Sequence, residues 1–239
     1  MNNDHKQVLK GTFSSGVVFW SGLNCGQIAG GLFRVSCAIP PLSSVAGSVV
    51  VGLSLATQME MSARLFGPVY RLELSAEYLS YIIGGMGLYA SLGGRFCSVF
   101  ASDVLRPGAF SSSPLPASQK YATASKRELI KAIGEKHGCH TCGTRSATVY
   151  HADHMPPLKI AKVKTPYWVE RIFGFPRQMF YSQCSSFSTI QSAAARESTK
   201  FSVVKRLMYH PHVLRAYHAT GFIQGFILFM VQEKKNLKS

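Results

Sequence analysis

The sequence is poor in acid. Its 239 residues include 11 Asp+Glu against 26 Lys+Arg, a formal net charge of +15. The imbalance is local: residues 1–105 hold six basic and five acidic side chains, whereas residues 106–239 hold twenty and six. A nearly neutral front half precedes a basic back half, and a surface of that sign implies an anionic partner: nucleic acid, anionic lipid or an acidic protein. Cysteine is also sparse. Six unevenly spaced cysteines do not make the framework of a small secreted disulfide protein. Cys25, Cys37 and Cys97 lie in apolar stretches, where a free thiol behaves as a small hydrophobe, so a reducing compartment is expected. Residues 1–10 lack the apolar core and cleavage site of a secretory signal. With Asp4 and no arginine they also make a poor transit peptide, and any targeting information is expected to be internal. No Gly-rich phosphate loop and no internal repeat is present.

Charge is missing altogether from residues 11–33 and 35–59, which Arg34 divides. Each stretch reaches the roughly 20 mainly apolar residues that a membrane-spanning helix needs. Both are built of Gly, Ser, Ala and Val rather than Leu. Gly22, Gly26 and Gly30 recur every four residues, fall on one helix face and let a neighbouring backbone approach closely. Pro40 and Pro41 should begin the second helix, leaving 42–59 as its span. Residues 78–94 form a third, slightly short candidate, which snorkelling by Arg95 would extend through 96–101. Residues 219–232 are a further charge-free segment, open to reading as a buried helix, a re-entrant anchor or a fourth span. Helices of a soluble bundle show a charged face. These show none, so membrane spans are expected. Ionisable groups of the kind that mark translocation sites are absent from the first two spans, which sets a transporter aside.

The residues that bear chemistry gather behind 106–119, a Pro-, Ser- and Gly-rich stretch read as a linker. Ser125 and Glu128 form a capping-box pattern ahead of a helix that should end near Gly138. Cys139 and Cys142 follow as Cys-x-x-Cys, and two thiolates so spaced can take two corners of a tetrahedral zinc site. A β-like run at 147–152 leads to Asp153 and His154 and is stopped by Pro156 and Pro157. Cys184 opens a helix-like segment, but the residue three further on is Phe187, so a second cysteine pair is broken. The fourth ligand falls to His137, His140 or His151, or does not exist. The intervening loop, from Lys159 to Tyr181, interleaves basic and aromatic residues. Its aromatics are expected to pack and its charges to face solvent or lipid phosphate; a grip on single-stranded nucleic acid is the other reading. Residues 203–218 read as a helix, with the Pro between His210 and His212 marking a turn rather than a metal pair. Because Cys-x-x-Cys follows a helix here and precedes a strand, a thioredoxin-like redox role is discounted.

Over residues 127–200 this order of features resembles the HNH, or ββα-metal, endonuclease module with its structural treble-clef zinc. The resemblance implies His154 as general base and Asp153 as part of a catalytic metal site, completed by an Asn and a His on the next helix. That helix, SSFSTIQSAAARESTK, contains neither, so the module reads as an inactive relic of the nuclease site. Cys139, Cys142 and Cys184 are expected to hold a structural Zn2+, while Asp153 and His154 hydrogen-bond the backbone of the Pro156–Pro157 loop.

The expected fold is mainly α. A membrane domain (1–105) with two to three Gly-rich transmembrane helices precedes the linker (106–119). A small α+β, treble-clef-like zinc-knuckle domain (120–218) follows, then an apolar C-terminal anchor with a basic tail (219–239). The expected function is non-catalytic. The chain is read as an accessory subunit of a mitochondrial inner-membrane assembly, such as a respiratory complex or ATP synthase, with other membrane subunits and anionic lipid as partners. The alternative is a membrane-tethered nucleic-acid-binding protein or HNH-type nuclease.

Overall fold

The computed structural model describes residues 3–39, 41–66, 76–117, 120–158, 160, 178–198, 207–208 and 215–236. The helices among them are α1 (Asn3–Leu32), α2 (Leu42–Phe66), α3 (Ala76–Ser91), α4 (Ala124–His137), α5 (Ser185–Ser198) and α6 (Ala219–Asn236). The strands are short: β1 (Ser102–Asp103), β2 (Leu115–Pro116), β3 (Tyr150–Met155), β4 (Met179–Cys184) and β5 (Leu207–Met208). The fold is mainly helical, and the chain forms two compact units. One comprises Met1–Ala29, Pro41–Val99 and Pro211–Ser239; the other comprises Gly30–Pro40 and Phe100–His210.

In the first unit, α1 is a helix in spite of its composition. It carries Gly11, Gly16, Gly22, Gly26, Gly30 and Gly31, and each interior glycine costs roughly 1 kcal/mol of helix propensity relative to alanine. Packing makes up the difference. A Cβ on Gly22 would lie 2.4 Å from Ser54 Oγ, and one on Gly26 would lie 2.2 Å from Val50 Cγ1. Because 22 faces 54 and 26 faces 50, α1 and α2 run antiparallel with their backbones in close approach. Glycines on α6 do the same against α1: a Cβ on Gly221 would meet Phe19, and one on Gly225 would meet Ser15. Gly30 differs from Gly22 and Gly26, since a Cβ there would meet the ring of Phe100 rather than a neighbouring helix. The helix stops just beyond, where Arg34 takes φ 58°. The N–H groups of Arg34 and Val35 donate back to the carbonyls of Gly31 and Gly30, the paired bonds of a left-handed helix cap.

The polarity of this unit is inverted relative to a water-soluble bundle. Phe13 and Val17 on α1, Val45, Val49 and Leu53 on α2, Leu79 and Ile83 on α3, and Phe226 and Ile227 on α6 are exposed. Ser15, Ser54, Gln58, Ser62, Thr220 and Gln224 are buried beside the apolar core of Phe19, Leu23, Val51, Leu55 and Tyr89. The buried amides and hydroxyls have work to do. Gln58 Nε2 donates to Gly221 O and to Tyr81 Oη, both at 3.0 Å, and the Ser15 and Ser62 hydroxyls lie 3.2 Å apart. Among the described residues, α2 is the one helix long and apolar enough to cross a membrane; the apolar run Ala216–Val231 is shorter. The expected continuation of the third candidate through 96–101 is corrected. After α3, Gly93 turns with φ 87°, the Gly94 N–H closes onto Tyr89 O, and Phe96–Val99 forms a separate 3-10 turn instead of extending the helix.

In the second unit, β3 and β4 form an antiparallel pair with Tyr150 opposite Cys184 and His154 opposite Phe180. Within the stretch expected as a linker, Leu115 and Pro116 form β2, an edge strand against Phe180 and Met179. Helix α4 is capped by Thr123, whose Oγ1 accepts from the Lys126 N–H, two residues before the serine the sequence pattern suggested. It ends at Gly138, where φ is 90° and a Cβ would press on Gly143 O at 2.6 Å. β4 runs directly into α5. Within 203–218, expected as one helix, Leu207 and Met208 instead pair with β1 as strand β5. The basic aromatic loop at 161–177, along with His210 and His212, lies outside the described residues.

Candidate metal centre

The turn after α4 is built by short backbone bonds. Cys139 N–H donates to Thr144 O and Gly143 N–H to Cys139 O, which folds Cys139 and Cys142 onto the same side. His140 N–H donates to Ser182 O, and Ser182 Oγ donates to Gly138 O, so the turn docks on β4. Cys184 ends that strand immediately before α5. The result is a cluster of three buried sulfurs, Cys139, Cys142 and Cys184, within 4.8 Å of one another, with Cys142 Sγ 3.8 Å from Cys184 Sγ. A tetrahedral ion with Zn–S bonds of about 2.3 Å holds its sulfurs about 3.8 Å apart. The donor set therefore fits a soft or borderline metal ion. Tyr150 and Phe187 pack around the sulfurs, with Ala147 and Ile190 against them, so Phe187, three residues after Cys184, supplies apolar cover.

The thiols are electrostatically unequal. Cys184 is pushed down, to about 3, because Cys139 and Cys142 donate S–H bonds to its sulfur and the backbone N–H groups of Phe187 and Ser186 point at it. Cys142 is pushed up by its S–H bonds to Cys139 and Cys184 and by burial. Without a metal, Cys184 is thus the thiolate and Cys142 a thiol.

None of the three histidines considered as fourth ligand joins the sulfurs among the described residues. His151 Nε2 lies 3.1 Å from Ser185 Oγ, and His137 ends α4. His140, between the two cysteines, is turned the other way. Its Nδ1 accepts from the Gly108 N–H at 3.0 Å, which puts the proton of the neutral ring on Nε2, 3.3 Å from Asp153 Oδ2.

Asp153 and His154 sit on β3 beside this centre. Asp153 Oδ1 accepts from Gln191 Nε2 at 2.7 Å, and Gln191 Oε1 in turn accepts from Gln183 Nε2. Although His140 Nε2 is near, its geometry falls short of a hydrogen bond, and buried Oδ2 has no such partner. His154 is buried with its ring edge-on to Phe180, centroids 4.4 Å apart. The Pro156 carbonyl accepts from Gln178 Nε2, while Asp153 Oδ1 is engaged by Gln191 on α5. Asp153 and His154 line a cleft of about 430 Å³ against α5, where Ser188, Gln191, Ser192 and Arg196 face them. The sequence reading weighed His140 as a zinc ligand rather than as a neighbour of Asp153, and it missed Gly108, Gln183 and Gln191. The one local signal was a histidine inside the Cys-x-x-Cys itself.

Comparison with family models, curated proteins and solved structures finds no match to this chain.

Proposed function

We propose that the protein is a non-catalytic structural subunit of a membrane assembly, with the first unit embedded in lipid and the second held together by zinc at Cys139, Cys142 and Cys184. The observation that carries this reading is the inverted polarity of the first unit. Leucine, valine and phenylalanine face outward on four helices, while serine and glutamine face inward at glycine-mediated contacts. Water disfavours such an exterior and hydrocarbon favours it; helices in lipid associate through small residues and internal hydrogen bonds. At least two crossings, α1 and α2, suit the charge-free runs 11–33 and 42–59. The three thiolates link the turn after α4 to the start of α5, as a small domain requires. A basic second unit, free thiols and internal targeting fit the mitochondrial inner membrane, with anionic lipid and neighbouring membrane subunits as partners. The test is gentle detergent extraction followed by native electrophoresis and mass spectrometry. Co-migration with a respiratory complex, ATP synthase or another membrane assembly supports the reading; a lone monomer, or recovery with DNA or RNA, counts against it.

The cleft favours a second reading, retained HNH-type nuclease chemistry at Asp153 and His154. Against it, Asp153 Oδ1 is engaged by Gln191, and α5 carries neither asparagine nor histidine. Plasmid nicking in magnesium, manganese or zinc that disappears in His154→Ala would establish this second reading and overturn the first.

A further inference from the structure

We propose that the three-cysteine centre is a two-state staple: a metal ion joins the turn to α5 when the thiols are reduced, and a Cys142–Cys184 disulfide joins the same two points after oxidation by a peroxide. This rests on the metal-staple reading of the site. Distance and exposure favour one pair among three sulfurs that all lie within 4.8 Å of one another. Cys142 and Cys184 are 42 residues apart in sequence, yet their sulfurs lie at 3.8 Å, a short movement from the roughly 2.05 Å of a disulfide. Cys142 is also the most accessible of the three, at 7% against 4% for Cys184 and 0% for Cys139, so a small oxidant meets it first. The Cys139 backbone is tied into the turn at both its N–H and its carbonyl, through bonds to Thr144 and Gly143. The pair that closes is therefore not the Cys-x-x-Cys pair.

The step balances as follows. The Cys142 thiolate sulfur attacks one oxygen of hydrogen peroxide, the O–O bond breaks, and hydroxide leaves and takes a proton, giving a sulfenic acid and one water. The Cys184 thiolate then attacks the Cys142 sulfur, the S–S bond forms, and the sulfenic oxygen departs as hydroxide and is protonated to a second water. Two thiolates lose two electrons, and the peroxide gains two electrons and two protons. One thiolate, Cys139, then remains where three had been, too few to retain the ion. The turn and α5 stay tied because the disulfide spans the contact that the metal had spanned.

Full-length protein in detergent, loaded with zinc, is titrated with hydrogen peroxide while a chromophoric chelator reports released zinc. Alkylated tryptic peptides are then sequenced by mass spectrometry. Trypsin leaves Cys139 and Cys142 together on residues 137–145 and Cys184 on 178–196, so the two disulfides differ in kind. The expected result is one zinc released per chain at about one peroxide equivalent, with the two peptides cross-linked through Cys142 and Cys139 alkylated. A loop disulfide confined to 137–145, sulfinic acid without any cross-link, or zinc retained after oxidation would overturn the proposal. Failure of the underlying reading is separable: protein that takes up no zinc refutes the metal staple, and peptide mapping of that same protein still decides which cysteines pair.

Discussion

Alanine at Gly47 is the most informative single substitution in the helical unit. An ideal Cβ there would lie 1.9 Å from the Phe96 carbonyl oxygen and 2.6 Å from its carbon, where ordinary contact begins at 3.4 Å. The obstacle is backbone, and it cannot swing aside as the tip of a flexible side chain does. Forcing extra volume into such a contact costs about 1–3 kcal/mol, and the upper part of that range applies here. Alanine also gains roughly 1 kcal/mol of helix propensity over glycine, so the net loss is about 1–2 kcal/mol. Gly87, on α3, is the control: a Cβ there meets nothing within 4 Å, and Gly87→Ala should gain roughly 0.5–1 kcal/mol. The same chemical change thus carries opposite signs at two helical sites of one unit. Unfolding of the full chain in mild detergent, followed by helical circular dichroism through a denaturant series, measures both. A Gly47→Ala protein as stable as the parent would refute the close approach of Phe96 to α2.

Further outcomes follow from the same contacts. Gln58→Leu keeps the volume but leaves the Gly221 carbonyl without its donor, and should cost about 1–3 kcal/mol in the same unfolding measurement. Cys142→Ser should remove bound zinc, about one ion per chain, and lower the melting temperature of the second unit. His154→Ala should leave zinc content unchanged and cost about 0.5–1.5 kcal/mol for its lost contact with Phe180. Metal uptake at pH 7 should release fewer than three protons per ion, because Cys184 enters as the thiolate; calorimetry in buffers of different ionisation enthalpy counts them. A folded-state pKa depressed to about 3 contributes stability that is complete above the unfolded thiol value of about 8.5 and is lost as pH falls toward 3. Metal-free protein should accordingly become more stable as pH rises from 4 toward 8 at roughly constant salt, and a flat profile would place the proton on Cys184.

The three cysteines could be read from the chain because their spacing is local: a Cys-x-x-Cys turn after a capped helix, and a cysteine one residue before another helix. The partners of Asp153 could not. Gln191 is 38 residues away and His140 reaches it from the far side of the turn, and no periodicity marks a contact made only once the hairpin has closed. β4 was hidden at the end of the basic aromatic loop, because the strand-favouring Phe180 and Tyr181 follow a run of other aromatics. In the helical unit, absent charge and the glycine spacing pointed to close helix contacts, and Gly22 and Gly26 do face α2. Gly30 lies on the same face, but the helix ends there and Phe100 covers it. The glycines at 93 and 94, which turn the chain after α3, were visible in the sequence, yet the apolar residues beyond them suggested continuation.

The most direct measurement of the central claim is residue-level labelling of the full-length protein reconstituted in lipid bilayers, with a diazirine that partitions into hydrocarbon and, in parallel, with hydroxyl radicals generated in water. Val45, Val49 and Leu53 face outward on α2, whereas Val51 and Leu55 face inward. The expected result is carbene adducts on the first three, none on the second two, and little radical oxidation of either set. Oxidation of Val45, Val49 and Leu53 without carbene labelling would put that face in water and contradict a lipid-embedded unit.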